Sequence, residues 1–170
     1  VSTSDDQAAF LRRLDEHRGI VCSVAFAYCR DRGAREDVVQ CISAELWRAY
    51  PRYDGRVTFS TWMYRIAVNA AISYYRRETR ERSGPIDPAD FESLPAASDD
   101  EVDVARRTTL YRLIAGLDEL ERALILLYLD GTSHAEIADV LGISQTNVAT
   151  KISRIKQALR RTVATDATDD

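Results

Sequence analysis

Between Phe59 and Arg77 the chain reads FSTWMYRIAVNAAISYYRR, with five aromatic residues, three arginines and no acid, in a protein of net charge −4. Wound as a helix at about 100° per residue, the segment gathers Met63, Ile66, Ala67, Ala70 and Tyr74 on one apolar face. Trp62, Arg65, Asn69, Ile72 and Arg76 fall almost opposite. An indole, guanidinium groups and a carboxamide pointing away from a core offer stacking, phosphate pairing and base-edge hydrogen bonding together. That combination suits single-stranded nucleic acid. The competing reading is ordinary packing of Trp62 and Ile72 on a neighbouring helix, with the arginines solvated.

A second constellation lies near the C-terminus. Ser133-His134-Ala135-Glu136 has capping-box spacing, so a helix is expected to start there. Leu141-Gly142-Ile143-Ser144 then supplies a glycine able to adopt positive φ, an apolar plug and a second N-cap. Helix, tight turn and helix make a helix-turn-helix pattern. On the second helix Val148, Ile152, Ile155 and Leu159 share one face, and Thr146, Thr150, Arg154, Gln157 and Arg161 the other. Short hydroxyls and arginine suit base edges and phosphates. Gln145 to Arg161 carries Lys151, Arg154, Lys156, Arg160 and Arg161 without an acid. DNA binding is the favoured reading over a merely solvated cationic face.

These segments must be positioned by helices. Periodicity predicts helices over 6–30, 35–50, 59–80, 101–115, 118–129, 134–141 and 145–161, and no stretch alternates long enough for a strand, so the expected class is all-α. Ser83 to Asp103 holds three of the four prolines and no basic residue, the composition of a flexible linker. The expected domains are 1–82 and 106–163, joined by an acidic linker 83–105 and followed by a disordered tail 164–170. Charge follows that division. Residues 1–82 carry 14 basic and 11 acidic groups, 83–105 none and 7, and 106–170 carry 9 of each. The acidic balance therefore belongs to the linker and leaves nucleic-acid binding open.

Cys22, Cys29 and Cys41 lack CxxC spacing, and only His17 and His134 could complete a metal site, so buried reduced thiols are expected and no metal or other cofactor. Neither histidine has a nucleophile at readable spacing, and there is no GxxxxGK[ST] loop, so the chain is not expected to be an enzyme. No apolar run reaches about 18 residues and no signal-peptide pattern stands near the start, so the expectation is a cytoplasmic protein without membrane insertion.

Taken in order, REDVVQCISAELWRAY, FSTWMYRIAVNAAISYYRR and ELERALILLYLDGTSHAEIADVLGISQTNVATKISRIKQAL resemble the bacterial sigma-70 family of RNA polymerase sigma factors, in its extracytoplasmic-function (ECF) group. The resemblance covers residues 8–82 as the sigma-2 domain and 106–162 as sigma-4. It implies promoter recognition without covalent chemistry. Asp37 and Gln40 would dock on the clamp helices of the largest polymerase subunit, with Leu46 and Trp47 inside the domain or at the interface edge. Cys41 stands where the family usually has an acid. Phe59, Thr61 and Trp62 would fall in the promoter-melting region, and Arg65, Asn69, Arg76 and Arg77 in the −10 reader, Asn69 beside the loop that captures a flipped-out non-template base. The helix from Gln145 would enter the −35 major groove, with Thr146, Asn147, Thr150, Lys151, Ser153, Arg154 and Gln157 toward DNA, and Ala149 where a basic residue is frequent. Implied partners are core RNA polymerase, through clamp helices and flap, promoter DNA, and an anti-sigma factor. The acidic linker would run toward the RNA-exit path. Two rivals remain: a helix-turn-helix regulator that needs no core enzyme, and a sigma-like antagonist that occupies polymerase without initiating.

Overall fold

The computed structural model describes residues 3–29, 31–81 and 101–166. The chain divides into two units, Val1–Pro85 and Ile86–Asp170. Among the described residues every regular element is helical, so the class is all-α as the periodicity predicts.

Unit 1 holds α1 (Thr3–Glu16), α2 (Arg18–Tyr28), α3 (Arg32–Ala49), a 3₁₀ turn (Tyr50–Arg52) and α4 (Phe59–Glu81). The single helix expected over 6–30 is two. His17 leaves the helical region at φ −114° and ψ 16°, and its Nδ1–H donates to the Arg13 carbonyl at 3.0 Å. The same carbonyl also accepts the His17 backbone N–H at 3.2 Å, so the ring adds a second donor to it at the end of α1. Gly19, which disfavours a continuous helix, follows at once. Asp31 starts α3 by accepting from the Ala34 backbone N–H at 2.8 Å.

The core of unit 1 comes from Val24, Ala27 and Tyr28 on α2, Val38, Ile42 and Leu46 on α3, and Met63, Ala67 and Ala71 on α4. α4 packs on both α2 and α3, which rotates its buried face from the expected one. Met63, Tyr64, Ala67, Val68 and Ala71 are buried, while Ile66, Ala70 and Tyr74 are only half covered. The thiols also depart from expectation: all three are free, but only Cys29 is buried, Cys41 is half-buried and Cys22 is exposed.

Unit 2 holds α5 (Glu101–Ala115), α6 (Glu119–Leu129), α7 (His134–Leu141) and α8 (Gln145–Asp166). Two expected boundaries shift. With Pro95 the last proline before Gly116, nothing in the sequence opposes a helix from Glu101, and the final five residues of the expected linker are helical. α8 runs past 161 to Asp166, so the first part of the expected tail is helix. The remainder of that linker, 83–100, and of that tail, 167–170, lies outside the described residues.

The core of unit 2 is built by Ile114, Leu124, Leu127, Ile137, Val148, Ile152 and Ile155. α6 opens on a capping box in which Asp118 accepts from the Glu121 N–H at 2.8 Å and Glu121 accepts from the Asp118 N–H at 3.3 Å. Arg122, only 3% exposed, turns back toward the end of α5. Its Nη2 donates to the Ala115 carbonyl at 2.6 Å and its Nε to the Leu117 carbonyl at 2.8 Å. The guanidinium thus sits at the negative end of α5 and satisfies carbonyls that the helix leaves over.

Replacing Arg122 by Ala leaves those carbonyls buried without their charged donor, and urea unfolding followed by circular dichroism is expected to show a loss on the order of 3 kcal/mol. Arg122→Met, which keeps the apolar stem, is expected to lose less.

Tyr74 offers a second test. Burial, then the charge of Glu78, raises its phenol above the ordinary tyrosine value of 10.0. A folded value above the unfolded one gives a stabilisation present below about pH 10 and lost as pH rises through the folded value. Tyr74→Phe is expected to make alkaline unfolding shallower in that window while leaving the neutral-pH midpoint nearly unchanged.

Candidate nucleic-acid interface

α4 begins at a hydroxyl cap. The Thr58 Oγ1 accepts from the Thr61 backbone N–H at 3.2 Å and exchanges a hydrogen bond with the Thr61 hydroxyl at 2.8 Å. Phe59, the first residue of α4, is 8% exposed at the middle of a ring cluster. Trp62 stacks on it at 5.2 Å, with Tyr53 at 5.5 Å, His17 edge-on at 5.4 Å and Tyr50 at 6.4 Å. The Arg13 guanidinium lies over the Phe59 ring at 5.3 Å. Phe10 extends the cluster, 5.1 Å from both Tyr50 and Trp47.

This geometry corrects the expected melting set. Phe59 and Thr61 are buried, so they support the surface and do not present it. Trp62 is half-buried, stacked on Phe59 and 5.1 Å from Tyr53, rather than standing clear of the core. Arg65, Asn69 and Arg76 are exposed, as the helical spacing predicts, and so is Arg77, which the same projection puts on the side of Ile66, Ala70 and Tyr74.

A groove of about 390 Å³ opens between α3 and α4. Cys41, Glu45 and Ala49, spaced by one helical turn, form one wall; Ile66, Asn69, Ala70, Ser73, Tyr74 and Arg77 form the other. The volume falls in the range of small-ligand sites. Arg77 lies 5.4 Å from the centre of the Tyr74 ring, a cation held on an aromatic face at the groove. The α4 wall contains two of the expected −10 residues, Asn69 and Arg77. The α3 wall was not foreseen, although the i, i+4, i+8 spacing of Cys41, Glu45 and Ala49 would have shown that these three share a face.

Next to that wall runs a second stripe of α3. Asp37, Gln40 and Trp47 are exposed on it, Trp47 to 40%. Cys41 borders both stripe and groove. Leu46 is 0% exposed, so its place is in the domain core and not in a docking surface. Of the two places expected for Leu46 the structure takes the domain interior, for a simple reason: it lies four residues after Ile42, on the face that meets α4 and α2.

In unit 2 the turn between α7 and α8 follows the expected chemistry. Glu136 N–H reaches the Ser133 hydroxyl at 3.3 Å and the Ser133 N–H reaches the Glu136 carboxylate at 3.1 Å. Gly142 takes φ +68°, donating to Ala138 at 2.8 Å, and the Ser144 hydroxyl accepts from the Asn147 N–H at 3.2 Å. Thr146, Asn147, Thr150, Ser153, Arg154 and Gln157 are exposed on α8, as is Ala149, and Lys151 is half-buried. Lys156 leaves the cationic stripe: its ammonium lies 5.2 Å from the Tyr128 ring centre and 3.3 Å from the phenol oxygen.

Comparison with known proteins agrees with both units. The family model for Sigma-70 region 2 matches residues 14–81 and that for Sigma-70 region 4 matches 107–159. The chain is 33% identical over 165 residues to the ECF RNA polymerase sigma-E factor of Escherichia coli (strain K12), covering 91% of this chain and 86% of that one. It is 28% identical over 167 residues to the ECF RNA polymerase sigma factor SigW of Bacillus subtilis (strain 168), covering 92% and 89%. Among solved structures, the sigma factor RpoE of Bartonella quintana, in complex with the anti-sigma factor NepR, superposes with TM-score 0.76 at 18% identity, covering 93% and 98%. CnrH, in complex with the cytosolic domain of CnrY, does so with TM-score 0.68 at 24% identity, covering 94% and 90%. With two region models matched in order and a relative of one-third identity along nearly its whole length, this chain belongs to the ECF group of the sigma-70 family.

Proposed function

We propose that this sigma factor directs promoter-specific initiation by three contacts. The exposed α3 stripe of Asp37, Gln40 and Trp47 docks on the clamp helices of core RNA polymerase, and unit 2 engages the flap. α8 enters the −35 major groove with Thr146, Asn147, Thr150, Lys151, Ser153, Arg154 and Gln157 toward the duplex. The α3–α4 groove takes a base flipped from the non-template −10 strand, while Arg65, Arg76 and Arg77 hold its phosphates and Trp62 stacks at the melted edge.

The observation that carries this reading is the groove itself. A carboxamide, hydroxyls and a guanidinium gather on one side of an open cleft beside the exposed arginines of α4. A regulator that reads duplex DNA through α8 alone has no use for such a cleft on a separate unit, and an antagonist of polymerase has no use for base-edge chemistry. Opening energy comes from binding in this scheme: unstacking costs a few kcal/mol, and new stacking and hydrogen bonds offset it. The chain performs no covalent step.

Regulation follows by analogy. Both solved relatives named above are held by another protein, an anti-sigma factor in the case of RpoE. We propose a partner of that kind here, covering the α3 stripe. Among the described residues no helix is long and apolar enough to cross a membrane. The expected site of action is the cytoplasm, where core polymerase and promoter lie.

Three measurements test the scheme. Run-off transcription with purified core polymerase on a genomic promoter library is expected to give discrete transcripts. Trp62→Ala and Asn69→Ala should each weaken open-complex formation by about 1–3 kcal/mol while core affinity stays unchanged; an equal loss of both would point to misfolding instead. On −35 duplex bound by holoenzyme, Arg154→Ala is expected to relax sequence preference if Arg154 reads a base, and to lower the salt slope uniformly if it pairs a phosphate.

A further inference from the structure

A second groove of unit 1, of about 340 Å³, opens on the far side of the α3 stripe from the first. Leu11 and Asp15 of α1 and Arg18 and Cys22 of α2 line one wall, and Val39 and Ser43 of α3 the other. The break at His17 does not divide this face, since residues from both helices line the same groove. Leu11 projects from it, 52% exposed. A single exposed leucine is ordinary on a monomer, but this one has a self-complementary setting. Asp15 and Arg18 are exposed on adjacent turns, and neither forms an ion pair among the described residues. Next to them Gly19 is exposed, with open space where a side chain would start.

We propose that this face takes the same face of a second copy of the chain, the two pairing antiparallel about a twofold axis between Glu16 and His17. That register sets Leu11 against Cys22 of the second copy, Leu14 against its Gly19 and Asp15 against its Arg18, and the twofold repeats each pair. Leu11 of each copy enters the groove of the other beside Val39, so its apolar surface leaves water. Leu14, which also lines the groove, can approach the opposite backbone closely because Gly19 has no side chain. Both charge pairs are attractive in this register. A parallel pairing would set Asp15 on Asp15 and Arg18 on Arg18, like on like. Ser43 lies one turn from Gln40 and Trp47 on α3, so a copy seated in the groove stands over the edge of the docking stripe. The paired chain and the polymerase-bound chain therefore exclude each other, which makes the dimer a reserve form of the free factor. That exclusion rests on the docking reading of the stripe; the pairing itself does not.

Sedimentation equilibrium of the full chain is expected to show a monomer–dimer equilibrium that weakens as salt rises. Asp15→Arg and Arg18→Asp should each weaken dimerisation at least about 10-fold. An equimolar mixture of the two variants should recover it as a mixed dimer, and so should the double variant. Gly19→Gln, which suits a helix better than glycine does, should abolish pairing while circular dichroism stays native. Under mild oxidation Leu11→Cys is expected to crosslink to Cys22 of a second copy. The wild type should stay uncrosslinked, because its two Cys22 residues stand on the order of 16 Å apart along the pairing. A monomer at every concentration up to about 1 mM, no recovery in the mixture, or a Cys22–Cys22 bond in the wild type would overturn the pairing. The crosslinked Leu11→Cys dimer is then offered to core polymerase, and binding is expected only after a reductant is added. Binding before reduction overturns the exclusion and leaves the pairing standing. If the reduced chain also fails to bind core, it is the docking reading that fails.

Discussion

Around Phe59 the chain brings together rings from four segments: Phe10 midway along α1 and His17 just past its end, Trp47 and Tyr50 at the end of α3, Tyr53 in the following turn, and Trp62 on α4. Aromatic pairs at these separations contribute about 0.5–1.5 kcal/mol each beyond the area they bury. The ion pairs Arg32–Glu36, Arg48–Glu45 and Arg56–Asp54 are solvent-exposed, where such pairs contribute about 0–1 kcal/mol. The ring cluster therefore decides how the start of α4 meets the end of α3. Both the groove and the tryptophan at its melting side inherit their position from that junction. Arg13, over Phe59, closes the cluster from α1 with a cation on the ring face.

Much of unit 2 was legible from the sequence because its signals are local. The Ser133 and Glu136 pair, Gly142 and Ser144 each act on backbone groups within four residues, and the structure has all three where the spacing places them. The Asp118 and Glu121 box is as local and was readable in the same way, though it was passed over. Arg122 was not readable. Its partners, Ala115 and Leu117, lie across a turn, and an arginine in an amphipathic helix ordinarily reads as solvated.

Unit 1 was harder, for a physical reason. α4 touches two helices, so its buried arc is wider than a single stripe, and a one-face projection placed Tyr74 in the core and Trp62 outside it. The ring cluster sets the orientation of Trp62, and its members are distant in sequence. Leu46 and Trp47 are neighbours in the chain with opposite fates, one in the core and one 40% exposed, a distinction that depends on the register of α3 against α4. The exposed residues of the site fared better than the buried ones. Arg65, Asn69 and Arg76 needed only helical phase, whereas Phe59 and Thr61 needed knowledge of what packs against them.

The placement of indole has an optical consequence. The chain holds two tryptophans, and both sit in the ring cluster of unit 1, Trp47 at the edge of the α3 stripe and Trp62 at the start of α4. The aromatic residues of unit 2 are Phe91, Tyr111 and Tyr128, with no indole among them. Light at the red edge of the indole band is absorbed by unit 1 alone. Emission from the unlabelled chain thus separates the two units without a dye: quenching or a colour change reports an event at one side or the other of the cluster, while unit 2 stays dark through its own folding and binding.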